Sequence, residues 1–233
     1  MALKRRRYRL LPLAPAGTAA ELLNEQTALF IMEQNSSDTE LTAAQEVLCN
    51  LWEEHVRQEF GTHNTEETLA TMVEDAYVNH IPVLTGGVGR KELREFYSKH
   101  FIPQMPPDTE MIPLSRTIGN DQLVDEMIFK FTHTIRMDWM LPGLPPTGKR
   151  VEVPLVAIVR FRDGKLAHEH IYWDQASVLV QLGLLDADRL PVTGVESARK
   201  ALDKTRPSNA LIDRADQQAI RLLRSRRPTA HQG

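Results

Sequence analysis

Only one cysteine, Cys49, stands in the 233 residues. No internal disulfide and no multi-cysteine metal centre can form from it, a usage that suits a reducing compartment. Its place on an apolar helical pattern is that of a buried, inert thiol. Long apolar runs are also missing. None approaches the roughly 18 residues that a membrane span needs, and the first twenty residues lack the apolar core of a secretory signal, so neither membrane insertion nor export is expected. No phosphate cradle is present: TGGVG at 85–89 has neither the lysine nor the strand-to-helix setting of a P-loop. A basic surface on the folded part is lacking as well. The net charge is −3, yet KRRRYR at 4–9 carries five cations ahead of the first acid, Glu21, and Arg221, Arg224, Arg226 and Arg227 crowd the other end. The middle is therefore acidic, and no nucleic-acid partner is expected. The Arg-rich, acid-free start has the character of a mitochondrial targeting segment but reads more simply as a solvated tail of a cytoplasmic protein.

What is present is core: 42% of the residues are hydrophobic, enough for one good-sized domain with extensions. Residues 1–40 alternate basic, Pro/Ala/Gly and polar stretches, with a short helical pattern around Ala19–Met32, and read as an extension. From Leu41, the apolar positions 44, 47, 48, 51, 52, 56 and 60 recur at three- and four-residue steps until Gly61, which predicts a long amphipathic helix. Asn64 with Glu67 resembles a capping box opening a second helix to about Ala76. A third helix is expected from Arg90 to His100, after a glycine-rich turn. Prolines at 103, 106 and 107 then end helical character. Strands are expected over Met111–Ile118, Leu123–Asp138, Val151–Arg162 and Lys165–Asp174, the last two joined by Asp163-Gly164, a two-residue hairpin signal. A helix follows over Gln175–Leu182, stopped by Gly183. Two more helical patterns occupy about 195–204 and 208–226. Three helices followed by an antiparallel meander make an α+β arrangement, with a domain over 41–192 and a helical extension over 193–233.

The order of elements, with NHIP at 79–82, GGVGRKELREFY at 86–97, LPPTGKRVE at 144–152, and GKL at 164–166 running on to LVQLG at 179–183, resembles the SnoaL-like polyketide cyclase branch of the nuclear-transport-factor-like superfamily, in its fungal type. Ketosteroid isomerases, scytalone dehydratase and limonene epoxide hydrolase belong to that superfamily. The resemblance spans roughly residues 45–190. It implies a cone: a curved antiparallel sheet of about four to six strands closed by three N-terminal helices. It also implies cofactor-independent chemistry in the conical pocket, commonly by an Asp–His pair. Where the family commonly has an acidic residue and then a tryptophan in the last strand, this sequence has His168 and His170.

Alternation on that strand puts Leu166, His168, His170, Tyr172 and Asp174 on one face and Glu169, Ile171 and Trp173 on the other. The resemblance places the first set inward, so His170 is the expected principal acid or base, with His168 beside it and Asp174 orienting an imidazole. Ile171 and Trp173 would then stand outside and, with the amphipathic C-terminal helix, anchor a homodimer. His133 interrupts the apolar face of Met127, Phe129 and Phe131 and needs a partner from another element, since Asp125 lies too far along the same strand. His80, after the second helix, is expected at the cavity mouth with Tyr77. Glu126, of opposite parity, should pair on a solvated face. Tyr97, Met127, Phe129, Phe131, Trp139 and Tyr172 complete an apolar lining suited to a small, neutral or weakly acidic organic molecule. The leading expectation is isomerisation, cyclisation or dehydration of a carbonyl substrate, without cofactor. A metal-dependent hydrolase or lyase using His80, His133, His168 and His170 is a second reading, and a non-catalytic ligand-binding or dimer-scaffold protein a third.

Overall fold

The computed structural model of the chain describes residues 4–5 and 41–225; the helical pattern at 19–32 lies outside them. The helix predicted from Leu41 is α1, Ala43–Phe60, opened by a capping box in which Thr42 and Gln45 satisfy each other's backbone donors, the reciprocal arrangement that ends orphan N–H groups. Its buried face carries Cys49, Trp52, His55 and Glu59, whereas Val47, an expected core position, is exposed. The Asn64 cap is as expected and accepts from the Glu67 N–H at 3.2 Å, but α2 ends after one and a half turns, at Thr65–Ala70.

Strand β2, Met72–His80, takes over where helix was expected. Met72, Val73, Ala76 and His80 suit a helical period, Met72, Ala76, Val78 and His80 a strand period, and pairing with the sheet decides the matter. The glycine-rich segment is likewise a strand, β3, Thr85–Val88. Gly86 is obligatory there: its φ is +139° and a Cβ would lie 1.9 Å from the Val78 carbonyl oxygen. Helix α3, Gly89–Glu95, runs on as a π-helical turn, Phe96–Phe101, and a 3-10 turn, Ile102–Gln104.

The meander follows as β4, Glu110–Ile118; β5, Gln122–Thr132; β6, Arg150–Arg162; and β7, Lys165–Trp173. β5 stops six residues earlier than expected. Asp163 and Gly164 both have positive φ, as the tight β6–β7 hairpin requires. With β1, Lys4–Arg5, on the β4 edge, the sheet order is β1-β4-β5-β6-β7-β2-β3, and every pair is antiparallel except β2 with β7. Helix α4, Gln175–Gln181, is capped by Asp174, whose side chain accepts from the Ser177 N–H. The main core lies between one face of the sheet and α1, α3 and the π-turn.

The C-terminal segment is not independent of the domain. Helix α5, Glu196–Leu202, lays Ala198 and Leu202 on Ile112, Leu114 and Ile128 across the opposite face of the sheet. Ser177 Oγ donates to the Gly194 carbonyl at 2.7 Å beneath it. In α6, Ala210–Ser225, Arg214 ties back to the carbonyls of Ala187 and Leu190. Among the described residues no helix is long and apolar enough to cross a membrane.

Candidate functional site

A bulge decides which side chains of β7 face inward. Between Arg160 and Phe161 of β6 the register shifts, so that Leu166 and His168 pair with adjacent residues and Ala167 is extra. One added residue reverses the faces of everything beyond it. Leu166 is buried in the core as expected, but after Ala167 the inner face belongs to Glu169, Ile171 and Trp173. His168 and His170 lie on the outer face, stacked on each other with ring centroids 4.6 Å apart. Tyr77 joins them there, its hydroxyl 2.7 Å from His170 Nε2, and Tyr172 is exposed. The expected inward pair therefore points away from the cavity, and the expected dimer anchors Ile171 and Trp173 are core.

The cavity is lined by Trp52, Glu53, Val56, Glu59 and Phe60 of α1; Val78 and His80 of β2; Phe96, Tyr97 and Phe101 of the π-turn; Met111, Pro113 and Arg116 of β4; Asp125, Glu126, Met127 and Phe129 of β5; Trp139; Leu155 and Ala157 of β6; and Glu169 and Ile171 of β7. Widening of the helix at 96–101 brings Phe96, Tyr97 and Phe101 onto this one side, a recurrent role of π-turns near sites. The lining residues that keep some exposure, Glu53, Val56, Phe60, Met111, Pro113, Glu126 and Met127, set the mouth between α1 and the β4–β5 pair. Glu169, His80, Phe129 and Trp139 are buried beyond it. Of the expected lining, Tyr97, Met127, Phe129, Trp139 and His80 are in place, whereas Phe131 is core outside the lining.

Two charged groups of similar design face this space. In the first, His55 Nε2 lies 3.1 Å from Glu59 Oε1 and 3.1 Å from Glu169 Oε1, with all three residues buried. The Tyr97 hydroxyl donates to Glu169 Oε1 at 3.3 Å and stands 3.5 Å from His55 Nε2. On the far side of the ring, Nδ1 is 2.6 Å from Thr71 Oγ1, whose single proton goes to the Thr68 carbonyl at 2.6 Å. Thr71 must then accept, so Nδ1 carries a proton. Nε2, facing two carboxylates, carries another, and the ring is an imidazolium. Burial alone would lower the His55 pKa; the charges of Glu59 and Glu169 outweigh it and hold it up at about 10. Burial raises the Glu59 carboxyl against the pull of His55, and burial, with both carboxylates beside it, pushes the Tyr97 phenol well above its ordinary value. Trp52 stacks on His55, centroids 5.6 Å apart.

In the second group, Arg116 Nη2 donates to Asp125 Oδ2 at 2.6 Å while its Nε bonds Oδ1, and Nη1 reaches Glu53 at 3.2 Å. Trp52 Nε1 donates to the same Asp125 Oδ2 at 2.8 Å. One tryptophan thus braces both groups. His80 sits apart, its ring centroid within 5.7 Å of those of Phe96, Phe101, Trp139 and Trp173. Burial lowers its pKa to about 4, and Nδ1 donates to the Thr85 carbonyl, leaving a neutral ring with an acceptor nitrogen.

The other expected site residues take structural places. Asp174 is the α4 cap. His133 is buried outside the lining, with Nδ1 3.3 Å from Thr147 Oγ1 and Nε2 without a hydrogen-bond partner; burial lowers its pKa. His80, His133 and the His168–His170 pair are thus not gathered around one point. The donor set that could hold a divalent ion is instead His55, Glu59 and Glu169, whose ligand atoms lie within 4.8 Å of one another. Glu126, expected on a solvated face, instead lines the cavity mouth, where it accepts from Ser115 Oγ of the neighbouring strand at 2.8 Å. Glu169, Glu59 and His55 were missed, though Trp52, His55 and Glu59 follow one another at the three- and four-residue steps of a single helix face, a legible signal.

Comparison with known proteins accords with this geometry. A search of curated proteins found no significant match. Among solved structures, a SnoaL-like polyketide cyclase candidate from Jannaschia sp. CCS1 is 18% identical, with a TM-score of 0.50, covering 64% of this chain and 99% of its own. AclR from Streptomyces galilaeus is 20% identical over 61% of this chain and 88% of its own, with a TM-score of 0.48. TsrD from Streptomyces laurentii is 21% identical over 63% and 100%, with a TM-score of 0.46. At 18% identity the likeness to the Jannaschia protein is one of fold alone. The family model of SnoaL-like polyketide cyclases matches residues 53–182, from the middle of α1 to the end of α4, which takes in every cavity-lining residue but Trp52. With more than half of its length under that model, the chain belongs to the SnoaL-like polyketide cyclase family.

Proposed function

We infer that the protein is a cofactor-independent enzyme that moves a proton at carbon next to a carbonyl, and so isomerises or cyclises a small organic substrate. The observation that carries this reading is the pair of buried carboxylates, Glu59 and Glu169, held against one imidazolium at the wall of a largely apolar cavity. The enclosing wall keeps bulk water away from the carboxylates and from a substrate set against them. Glu169 takes the proton from the α-carbon. The electron pair left behind delocalises onto the carbonyl oxygen, where the Tyr97 O–H, kept protonated, turns from Glu169 to donate to the developing enolate. For isomerisation the proton returns at another carbon; for ring closure the enolate carbon attacks a second carbonyl and the new alkoxide takes the proton. Glu169, which now carries the proton taken from carbon, is the acid that makes that return. His55 acts as a positioning residue that fixes both carboxylates.

The test is proton exchange. Purified protein incubated in D2O with a panel of cyclic ketones and 1,3-diketones is followed by NMR for deuterium entering the α-position. Accelerated exchange on a subset, lost in Glu169→Gln, is expected. Exchange that survives Glu169→Gln, or acceleration on none of the panel, overturns the reading.

A further inference from the structure

We propose that His55, Glu59, Glu169 and Tyr97 form a binding site for one divalent first-row transition ion of the zinc class, which on entering takes the place of the His55 Nε2 proton. One imidazole nitrogen and two glutamate oxygens converge in a buried wall. A divalent ion on a neutral imidazole matches the charge of two carboxylates.

The geometry fits without rebuilding. Ligand atoms sharing one ion at bond lengths of roughly 2.0–2.2 Å lie about 3.0–3.5 Å from their neighbours. The distances here are 3.1 Å from Nε2 to each glutamate oxygen, 3.3 Å from the Tyr97 oxygen to Glu169 and 3.5 Å from it to Nε2. One imidazole with hard oxygens is a donor set for zinc, manganese or iron rather than copper(I). A further feature is independent of the donors. Nδ1–H is committed to Thr71, and Thr71 to the Thr68 carbonyl, so the ring presents Nε2 as its only ligand atom. That is the outer-shell arrangement by which metal-binding histidines are oriented. Entry is from the cavity, which Glu59, Glu169 and Tyr97 line.

Resting on the same residues as the proposed acid–base chemistry, the site has a consequence for it: an ion bound through Glu169 draws electron density from the carboxylate that would take the substrate proton and lowers its basicity, so metal and catalysis exclude each other. Binding is measured separately from activity. Full-length protein, purified without an affinity tag and stripped with chelator, is titrated with Co2+ and followed by visible absorption. One equivalent per chain with the intense bands of a four-coordinate ion is expected. Those bands should vanish in Glu169→Gln and in Glu59→Gln, while Thr71→Val weakens affinity by roughly 10- to 100-fold. His168→Ala/His170→Ala should change nothing. Absence of the bands in folded wild-type protein overturns the proposal, as does binding that survives Glu169→Gln or disappears with the outer-face histidines. If Co2+ binds as expected and no ketone exchanges its α-protons, the metal site stands and the acid–base reading falls. If α-proton exchange is found and one equivalent of bound ion leaves it unchanged, mutual exclusion is wrong.

Discussion

Replacing His55 with glutamine removes the only positive charge between Glu59 and Glu169 and leaves both carboxylates in the protein wall. Burial disfavours the His55 charge, and the two carboxylates more than compensate, raising its pKa from 6.5 to about 10. At about 1.4 kcal/mol per decade this rise corresponds to on the order of 5 kcal/mol. Removing one partner from a buried ion pair costs roughly 3–5 kcal/mol by direct comparison, so the two routes agree. The sign of the pH dependence follows from the raised folded-state pKa. Below about 6.5 the ring is protonated in both folded and unfolded chains and the stabilisation is complete; between there and 10 only the folded chain holds the proton, and stability falls as pH rises. Urea denaturation followed by tryptophan fluorescence from pH 6 to 10 should show wild type losing about 1.4 kcal/mol per pH unit more than His55→Gln above pH 6.5, with the gap between them widest near pH 6.5 and nearly closed at 10. A gap that stays constant over that range would refute the imidazolium assignment.

Arg116→Gln strips Asp125 of its bidentate partner beside Trp52 and is expected to cost about 3 kcal/mol, measurable as a lower urea midpoint. Asp174→Ala, removing the α4 cap rather than a catalytic group, should cost about 1 kcal/mol and leave α-proton exchange intact in the NMR assay. Gly86→Ala would drive a methyl group into the Val78 carbonyl at 1.9 Å; with its strained φ, a loss of more than about 3 kcal/mol is expected, seen as poor soluble yield or a much reduced melting temperature.

The meander was legible because its signals are local: alternation, the Asp163-Gly164 turn, and prolines where helix stops. β2 was not, since Met72, Val73, Ala76 and His80 suit a helix as Met72, Ala76, Val78 and His80 suit a strand, until a parallel partner in β7 claims the run. The candidate site was half legible. Tyr97, Met127, Phe129, Trp139 and His80 could be placed from periodicity and resemblance together. The inward face of β7 could not. Alternation counted from Leu166 is sound for that residue, and one extra residue at Ala167, which has no sequence signature of its own, turns His168 and His170 outward and Glu169 inward. Likewise the polar side chains of α1 look solvated when only apolar residues are counted. His55 and Glu59 are inside because each satisfies the other and Glu169 completes them, a condition set by a strand more than one hundred residues later.

The central claim is that chemistry resides at Glu169, on the inner face of β7, and not at the histidines beside it. The rate of α-deuterium incorporation into an accepted ketone, compared between Glu169→Gln and His168→Ala/His170→Ala, tests it directly. Loss of at least about a hundredfold in the first, with the second within about twofold of wild type, is the predicted result. Full activity in Glu169→Gln with loss in the double histidine variant would contradict it.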